Sequence, residues 1–147
     1  MQKIESSSLR ETEYIAKDFA ASLKPYDFVA VNGPLGAGKT MFSSGIIAGK
    51  GANIVAASPS YSVMNRYDCK TVIINHFDFY RLKTVYDMEN CGFFDSLEGK
   101  NITIAEWADI ITVDYKKYVS GNYYNINIKI GSSEKKEKRY IEIEKIL

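Results

Sequence analysis

The sequence predicts a single α/β domain over residues 1–147, and three features of the chain predict it. A short apolar run at 28–31 leads directly into a glycine-rich loop and then into a helical pattern. A second short apolar run lies at 102–105, as expected for another buried strand. The segments 124–130 and 139–143 alternate apolar and polar residues around a charged turn, which predicts an antiparallel hairpin.

The composition is that of an ordinary compact domain and excludes several classes of protein. Apolar residues make up 46% of the chain and charged residues 25%, close to the averages for globular proteins. With 19 basic and 18 acidic residues, the net charge of +1 gives no bulk electrostatic reason for tight nucleic-acid binding, so any RNA contact is expected to be indirect or weak. The two cysteines lie in no zinc or disulfide spacing. No stretch approaches the roughly 20 apolar residues of a membrane span, and the N-terminus lacks a signal-peptide core. A cytoplasmic protein without a membrane partner is therefore expected.

The first elements follow from local signals. Ser8 and Glu11 have the spacing of a capping box, and apolar residues then recur at helical spacing until Pro25, which predicts a helix over about residues 9–24. The buried strand at 28–31 follows it. Apolar residues after the glycine loop predict a second helix, with Gly49 and Gly51 available to end it.

The later elements are mostly strands. Residues 62–67 and 71–77 predict a hairpin joined by a tight turn at 68–70, because the second segment is rich in β-branched residues. The run at 102–105 and the hairpin formed by 124–130 and 139–143 complete the chain.

The glycine loop has the sequence GPLGAGKT at residues 33–40, which satisfies the phosphate-binding pattern G-x-x-x-x-G-K-[ST]. In this pattern the glycines let backbone N–H groups turn toward phosphate oxygens, and the following helix adds its positive N-terminal end. The lysine then reaches the β- and γ-phosphates, and the threonine hydroxyl joins a magnesium ion. The sequence thus predicts ATP and Mg²⁺ as ligands, held by Gly33, Leu35, Gly36, Ala37, Gly38, Lys39 and Thr40.

Two carboxylates end apolar runs and are candidates for completing this site. Asp78 ends TVIINHFD and Glu106 ends NITIAE, so each is expected at the carboxyl edge of the sheet, where ligands of open α/β sheets bind. Either one taken alone could be a surface residue. With the phosphate-binding loop, the favoured interpretation places one near magnesium and one near the attacking water.

Two further side chains are left with alternatives. His76, the sole histidine, is either a general base or a structural hydrogen-bonding residue, and the structural role is favoured. Trp107 is expected to face away from Glu106 if both lie on one strand, either into the core or toward a partner.

Three segments downstream of the loop carry a resemblance: SPSYSVMNRYD at 58–68, HFDFYRL at 76–82 and ITIAEWAD at 102–109. Together with Thr12 and GPLGAGKT, they make the chain resemble the bacterial TsaE (YjeE) family, the ATPase component of tRNA N6-threonylcarbamoyladenosine synthesis at position 37. The resemblance implies a three-layer P-loop NTPase fold with a mainly parallel central sheet and antiparallel hairpin additions.

The resemblance also implies roles for individual residues. Lys39 would contact phosphate, Thr40 and Glu106 would hold magnesium, and Asp78 would lie in the catalytic neighbourhood, so that Asp78, Glu106 and Lys39 form the catalytic set. Thr12 would be an N-terminal nucleotide contact, Arg139 would approach the base or ribose, and Ser60 would belong to a switch at 58–62 that senses the γ-phosphate.

The partners follow from the same resemblance. The family acts with TsaD and TsaB, and its ATP hydrolysis, stimulated by these partners, supports repeated modification without transferring the threonylcarbamoyl group itself. This chain departs from the family at Ser60, where threonine is usual, at Arg66, where an acidic residue is frequent, and at Ala108, where proline is frequent. The last two departures put a detailed copy of the partner surface in doubt.

Other functions share the same loop. A small-molecule kinase would use the same magnesium chemistry but needs an acceptor pocket and a closing lid, for which the chain after Glu106 offers no arginine-rich segment. A GTPase would need a guanine-reading motif, and the NRYD segment at 65–68 has arginine in place of lysine and lies too early in the chain. A non-hydrolysing scaffold that uses nucleotide to order an interface is the third alternative.

Overall fold

The computed structural model describes residues 1–52, 59, 63–132, 134 and 137–147, and these residues form one seven-stranded sheet with helices on both faces. The strand order is β1-β7-β6-β2-β5-β4-β3. The elements, in chain order, are β1 (Gln2–Ser6), α1 (Leu9–Ala20), β2 (Phe28–Asn32), α2 (Lys39–Gly49), β3 (Met64–Asp68), β4 (Ile73–Asp78), α3 (Val85–Asn90), α4 (Phe93–Glu98), β5 (Asn101–Glu106), a 3₁₀ helix (Tyr115–Lys117), β6 (Tyr123–Ile130) and β7 (Arg139–Lys145).

The centre of the sheet is parallel and its edges are antiparallel, which confirms the predicted α/β class. β2 pairs in parallel with both β5 and β6, and β4 pairs in parallel with β5. The antiparallel pairs β3–β4 and β6–β7 confirm the two predicted hairpins. Strand β1 was not predicted. It is a five-residue strand at the edge of the described sheet, where it pairs with β7, and its mostly polar sequence shows no apolar alternation.

The first helix begins where the capping signal predicts and ends earlier than Pro25 suggests. The Ser8 hydroxyl accepts a hydrogen bond from the Glu11 backbone N–H (3.0 Å), while the Glu11 carboxylate accepts one from the N–H of Ser7 (3.0 Å). At the other end, the N–H of Leu23 bonds to the carbonyl of Ala20 (3.1 Å), three residues back. The last turn therefore tightens out of the α-helix before the proline is reached.

Helices α1 and α2 approach each other most closely where Gly45 of α2 faces Glu13 and Ala16 of α1. A Cβ atom on Gly45 would lie 2.4 Å from the carbonyl oxygen of Glu13 and 2.7 Å from the Cβ of Ala16. Glycine at this position lets the backbones of the two helices approach closely beyond the middle of α2.

The two faces of β2 belong to two separate layers of core. Val29 and Val31 face α1 and α2, whereas Phe28 and Ala30 face α3 and α4. On the second face Phe28 meets the ring of Phe93 at a centroid distance of 5.4 Å. Helices on both faces give the three predicted layers, and the buried sheet fixes the carboxyl ends of β2, β4 and β5 at one edge. None of the helices in the described part of the chain combines the length and apolar character needed to cross a bilayer.

Candidate nucleotide-binding site

The glycine loop connects β2 to α2, as the strand, loop and helix pattern predicts. Gly36 (φ 78°) and Gly38 (φ 106°) both have left-handed backbone conformations that favour glycine. Gly38 is the N-cap of α2 and supplies no side chain to bond the first N–H groups of the helix. The loop and the first turn of α2 therefore present backbone donors and a positive helix end to an anion.

Gly33 is required for a different reason, the close approach of another strand. A Cβ atom there would lie 2.5 Å from the carbonyl oxygen of Ile128 in β6. The loop therefore starts in contact with the neighbouring parallel strand, and only a residue without a side chain fits.

Lys39 lies inside the curve of the loop rather than extending into solvent. Its Nζ donates hydrogen bonds to the carbonyls of Gly33 (2.7 Å) and Pro34 (2.8 Å), and it lies 4.0 Å from the centre of the Trp107 ring. Burial lowers the pKa of Lys39 from its ordinary value, although Glu106 and other nearby carboxylates oppose this shift. The ammonium group is thus held at the loop by dipoles and an aromatic face.

Thr40 and Glu106 meet directly. The Thr40 hydroxyl donates to Glu106 Oε1 at 2.9 Å, although the two residues are 66 positions apart in the chain. The other carboxylate oxygen of Glu106, Oε2, is hydrogen-bonded to Nε2 of His76. Glu106 is 2% exposed and His76 is fully buried, so this carboxylate is enclosed on one side and faces the loop on the other.

Asp78 lies beside Glu106, at the ends of adjacent parallel strands. The two residues are register partners in β4 and β5. Asp78 is half-buried, and its Oδ1 accepts a hydrogen bond from the N–H of Tyr80 at 3.0 Å. The expectation that both carboxylates reach the carboxyl edge of the sheet therefore agrees with their placement.

Trp107 packs against the second core layer, one of the two expected alternatives, but contrary to expectation it also lines the cavity that Glu106 lines. Strand β5 ends at Glu106, and Trp107 has a left-handed backbone (φ 57°) that turns its ring back over Lys39. Its ring also packs on that of Tyr80 at 4.9 Å. Trp107 and Glu106 consequently line the same cavity, because the alternation rule for strands stops applying where the strand ends.

These groups surround a cavity of about 390 Å³. Its wall combines a polar floor made by the loop, Thr40, Glu106 and Asp78 with apolar and aromatic side chains at its rim. This combination is typical of small-molecule sites, in which apolar walls surround a few convergent polar groups. The described lining residues are Leu9, Leu35, Gly36, Gly38, Lys39, Thr40, Met41, Pro59, Val63, Asp78, Tyr80, Arg81, Glu106 and Trp107.

Thr12 and Arg139 lie against the loop, outside the described cavity wall. The Thr12 hydroxyl is buried against Ser6 Oγ (2.8 Å). The Arg139 guanidinium donates to the carbonyls of Ala37 (Nε, 3.0 Å) and Gly36 (Nη2, 3.2 Å). Arg139 therefore supports the loop, whereas the Thr12 hydroxyl bonds within the N-terminal segment. A direct contact of either residue with nucleotide remains a prediction. Ser60 and most of the predicted 58–62 switch lie outside the described residues.

Asn32 was not singled out in the sequence, although it joins the strand before the glycine loop to two neighbouring segments. Its side chain accepts from the N–H of Asp109 (3.0 Å) and donates to Asn125 Oδ1 (3.0 Å). It thereby ties the start of the glycine loop to the segment after β5. A polar residue that ends an otherwise apolar strand, directly before the loop, is the signal that could have identified it.

Comparisons with known proteins agree with this architecture. The family model described as "Threonylcarbamoyl adenosine biosynthesis protein TsaE" matches residues 6–141. The TsaE protein of Rickettsia typhi is 38% identical over 133 residues, covering 88% of each chain, and that of Bacillus subtilis is 35% identical over 101 residues, covering 69% of this chain and 63% of the relative.

A solved structure gives the same result for the fold. The crystal structure of Bacillus subtilis YdiB superposes with a TM-score of 0.72 at 28% identity, covering 95% of this chain and 82% of that one. Because the family model spans the P-loop, both carboxylates and most of the sheet, the chain belongs to the TsaE family, whose name refers to threonylcarbamoyl adenosine biosynthesis.

Proposed function

We propose that this chain binds ATP with Mg²⁺ and hydrolyses the nucleotide as a component of the tRNA N6-threonylcarbamoyladenosine machinery. In this role it acts in the cytoplasm with TsaD and TsaB homologues and does not transfer the threonylcarbamoyl group itself. The observation that carries the proposal is the 2.9 Å contact between Thr40 and Glu106 at the mouth of the glycine loop. The fold brings this hydroxyl and this carboxylate together from distant parts of the chain, beside the lysine of the glycine loop. A hydroxyl and a carboxylate are the ligands expected for a nucleotide-bound magnesium ion.

The residues present fit both ligands. Mg²⁺ prefers oxygen donors and is usually held by one or two carboxylates together with substrate phosphates, and Thr40 with Glu106 supplies that partial set. The left-handed glycines and the uncapped start of α2 fit a polyphosphate. When bound, Mg²⁺ would neutralise charge that develops on the phosphate oxygens.

The chain's own residues then have distinct tasks. Lys39 can exchange its two carbonyl contacts for phosphate oxygens by side-chain rotation, because both carbonyls belong to the same loop. Asp78 lines the same cavity as that loop and would accept a hydrogen bond from the attacking water, which orients the water for in-line attack. Trp107 and Tyr80 would cover the site and exclude bulk water.

The family match supports the role in tRNA modification. The exposed rim of the cavity supports the need for partner proteins. Tyr80 is 53% exposed and Leu35 is 78% exposed at the edge of the cavity, so a docking protein could cover them. Slow hydrolysis by the isolated chain, accelerated by TsaD and TsaB homologues, is the expected behaviour.

The test combines biochemistry with a measurement of modified tRNA. Phosphate release is measured for the chain alone and with its TsaD and TsaB homologues, and modified adenosine is quantified by mass spectrometry in cells that depend on this chain or on Lys39→Ala. Stimulated hydrolysis together with loss of the modification in the variant supports the proposal. Transfer of phosphate to a small-molecule acceptor would favour a kinase instead, and full modification by a variant without ATPase activity would favour a non-hydrolysing scaffold.

A further inference from the structure

His76 is the chain's only histidine, and it lies behind the magnesium-side carboxylate rather than in the cavity. It is fully buried in β4, next to β5, and its Nε2 is hydrogen-bonded to Glu106 Oε2. Because that nitrogen is already used and the ring is enclosed, His76 has no route to an attacking water. The geometry therefore disfavours the general-base hypothesis.

We propose that His76 is a positioning residue that fixes the carboxylate of Glu106 in the orientation needed to hold Mg²⁺. This inference rests on the proposed function. A carboxylate at the end of a strand can rotate about its last bond, which would exchange or tilt its two oxygens. The bond from His76 to Oε2 prevents this rotation and leaves Oε1 directed at the Thr40 hydroxyl. Residues that are hydrogen-bonded to a metal ligand orient that ligand and tune its affinity for the metal.

The proposed role requires one particular tautomer of the imidazole. A carboxylate oxygen accepts hydrogen bonds, so Nε2 must carry the proton that it donates to Glu106. Within the described part of the chain, Nδ1 of His76 is the one buried side-chain nitrogen or oxygen without a hydrogen-bond partner. A proton on Nδ1 would be a buried donor without an acceptor, so the tautomer with its proton on Nε2 is the one that fits.

The unpaired Nδ1 of His76 also helps to distinguish a positioning role of this side chain from a role in packing alone. An apolar side chain would fill the same space without burying a polar atom that lacks a partner, and would suit a purely structural role better. The imidazole is explained if its Nε2–H is needed at Glu106. The number of bonds from the backbone then decides which replacements work. The amide nitrogen of glutamine lies two bonds beyond Cγ, like Nε2 of histidine, whereas that of asparagine lies one bond beyond Cγ, like Nδ1.

The first test reads the tautomer directly. Protein purified without a histidine tag and labelled with ¹⁵N-histidine contains one imidazole, so a long-range ¹H–¹⁵N spectrum reports His76 alone. We expect a protonated Nε2 and an unprotonated Nδ1, both without ligand and with Mg²⁺ and a non-hydrolysable ATP analogue. A protonated Nδ1 with an unprotonated Nε2, or a ring that exchanges between tautomers, would overturn the inference.

The second test measures how much Mg²⁺ strengthens binding of the ATP analogue, as the ratio of the dissociation constants in EDTA and in Mg²⁺. His76→Leu should lower this ratio by on the order of tenfold, the lower end of the loss seen when a metal ligand loses its outer partner. Binding in EDTA should stay within about threefold of the parent, because the loop is unchanged. His76→Gln should keep most of the magnesium effect, whereas the matched variant His76→Asn should behave like His76→Leu.

The outcomes separate this inference from the proposed function. If Mg²⁺ strengthens binding equally in the parent and in His76→Leu, or if asparagine restores the effect as well as glutamine does, His76 does not position Glu106. If Mg²⁺ has no effect on binding by the parent, the proposed function fails and the magnesium role of His76 fails with it. Should the variants not fold, the tautomer of the parent protein decides the question.

Discussion

A variant of Arg139 can test whether hydrogen bonds from this side chain stabilise the conformation of the glycine loop. This residue begins β7, and its guanidinium donates to the carbonyls of Ala37 (3.0 Å) and Gly36 (3.2 Å). The family resemblance suggests a different role, a contact with the base or ribose of the nucleotide. Replacing Arg139 by alanine distinguishes the two roles, because an anchored loop matters for every phosphate ligand and a base contact matters only for ligands that carry a base.

The expected loss follows from the two hydrogen bonds. Each is worth about 0.5–1.5 kcal/mol, since Arg139 is only half-buried and the higher values for charged donors do not apply in full. Losing both would make ordering of the loop less favourable by about 1–3 kcal/mol. At 1.4 kcal/mol per tenfold, the affinity for a phosphate ligand should fall by about 5- to 150-fold.

Calorimetric titration of Arg139→Ala with ATP and with tripolyphosphate, both with Mg²⁺, measures this loss. We expect equal losses for the two ligands. Lys138→Ala is the matched control, because it removes a neighbouring positive charge whose ion pair with Glu5 (3.1 Å) does not involve the loop. A loss confined to ATP would refute the anchoring role in favour of a base contact, and unchanged affinity for both ligands would refute both roles.

Four further results are expected. Lys39→Ala should weaken ATP binding at least about tenfold in calorimetry, because the loop loses its phosphate-directed cation; unchanged affinity would contradict this. Burial lowers the pKa of Lys39, and a bound phosphate would raise that pKa again. At alkaline pH, ATP binding should therefore take up protons, and the affinity should fall as the pH rises through the lowered pKa. Titrations in two buffers of different ionisation enthalpy would detect the proton uptake, and its absence would count against Lys39 as the phosphate contact. Glu106→Ala and Asp78→Ala should both keep the fold, as judged by circular dichroism, and should lower the rate of phosphate release by about 100-fold. The rate of the Glu106 variant should depend more strongly on the Mg²⁺ concentration. Variants that release phosphate as fast as the parent across a Mg²⁺ titration would contradict both roles. Gly45→Ala should lower the free energy of unfolding in urea by about 1–2 kcal/mol, because a Cβ only 2.4 Å from the backbone carbonyl oxygen of Glu13 puts the overpacking at about 2–3 kcal/mol, against a helix gain of about 1 kcal/mol. The control Ser44→Ala should be near neutral, and a Gly45→Ala protein as stable as the parent would show that the helices separate easily.

The parts of the site that the sequence predicted are those governed by local pattern. GPLGAGKT lies between a buried apolar run and a helical pattern, and Asp78 and Glu106 each end an apolar run, so their placement at one edge follows from strand ends alone. Long-range support is harder to predict. Arg139 is 103 residues from Gly36, and nothing local indicates that β7 passes behind the loop.

Trp107 shows a second limit of sequence patterns. Alternation along a strand assigns neighbouring side chains to opposite faces, but it does not say at which residue the strand ends. The left-handed conformation at Trp107 is uncommon for a residue other than glycine, and it is accompanied by a hydrogen bond from its N–H to the carbonyl of Val31 (3.0 Å). Its ring is thereby placed on Lys39, a contact that depends on the tertiary fold.

The order of the strands explains why Glu106 occupies the middle of the site. β5 lies between β2, which leads into the glycine loop, and β4, which carries His76 and Asp78. A side chain at the end of β5 is therefore within reach of both neighbours, and Glu106 contacts Thr40 on one side and His76 on the other. Any shift of β4 relative to the loop must alter at least one of these two contacts. Because β4 is followed by the exposed Tyr80 at the rim, a protein that docks there would act on the carboxylate through the same strand that positions it.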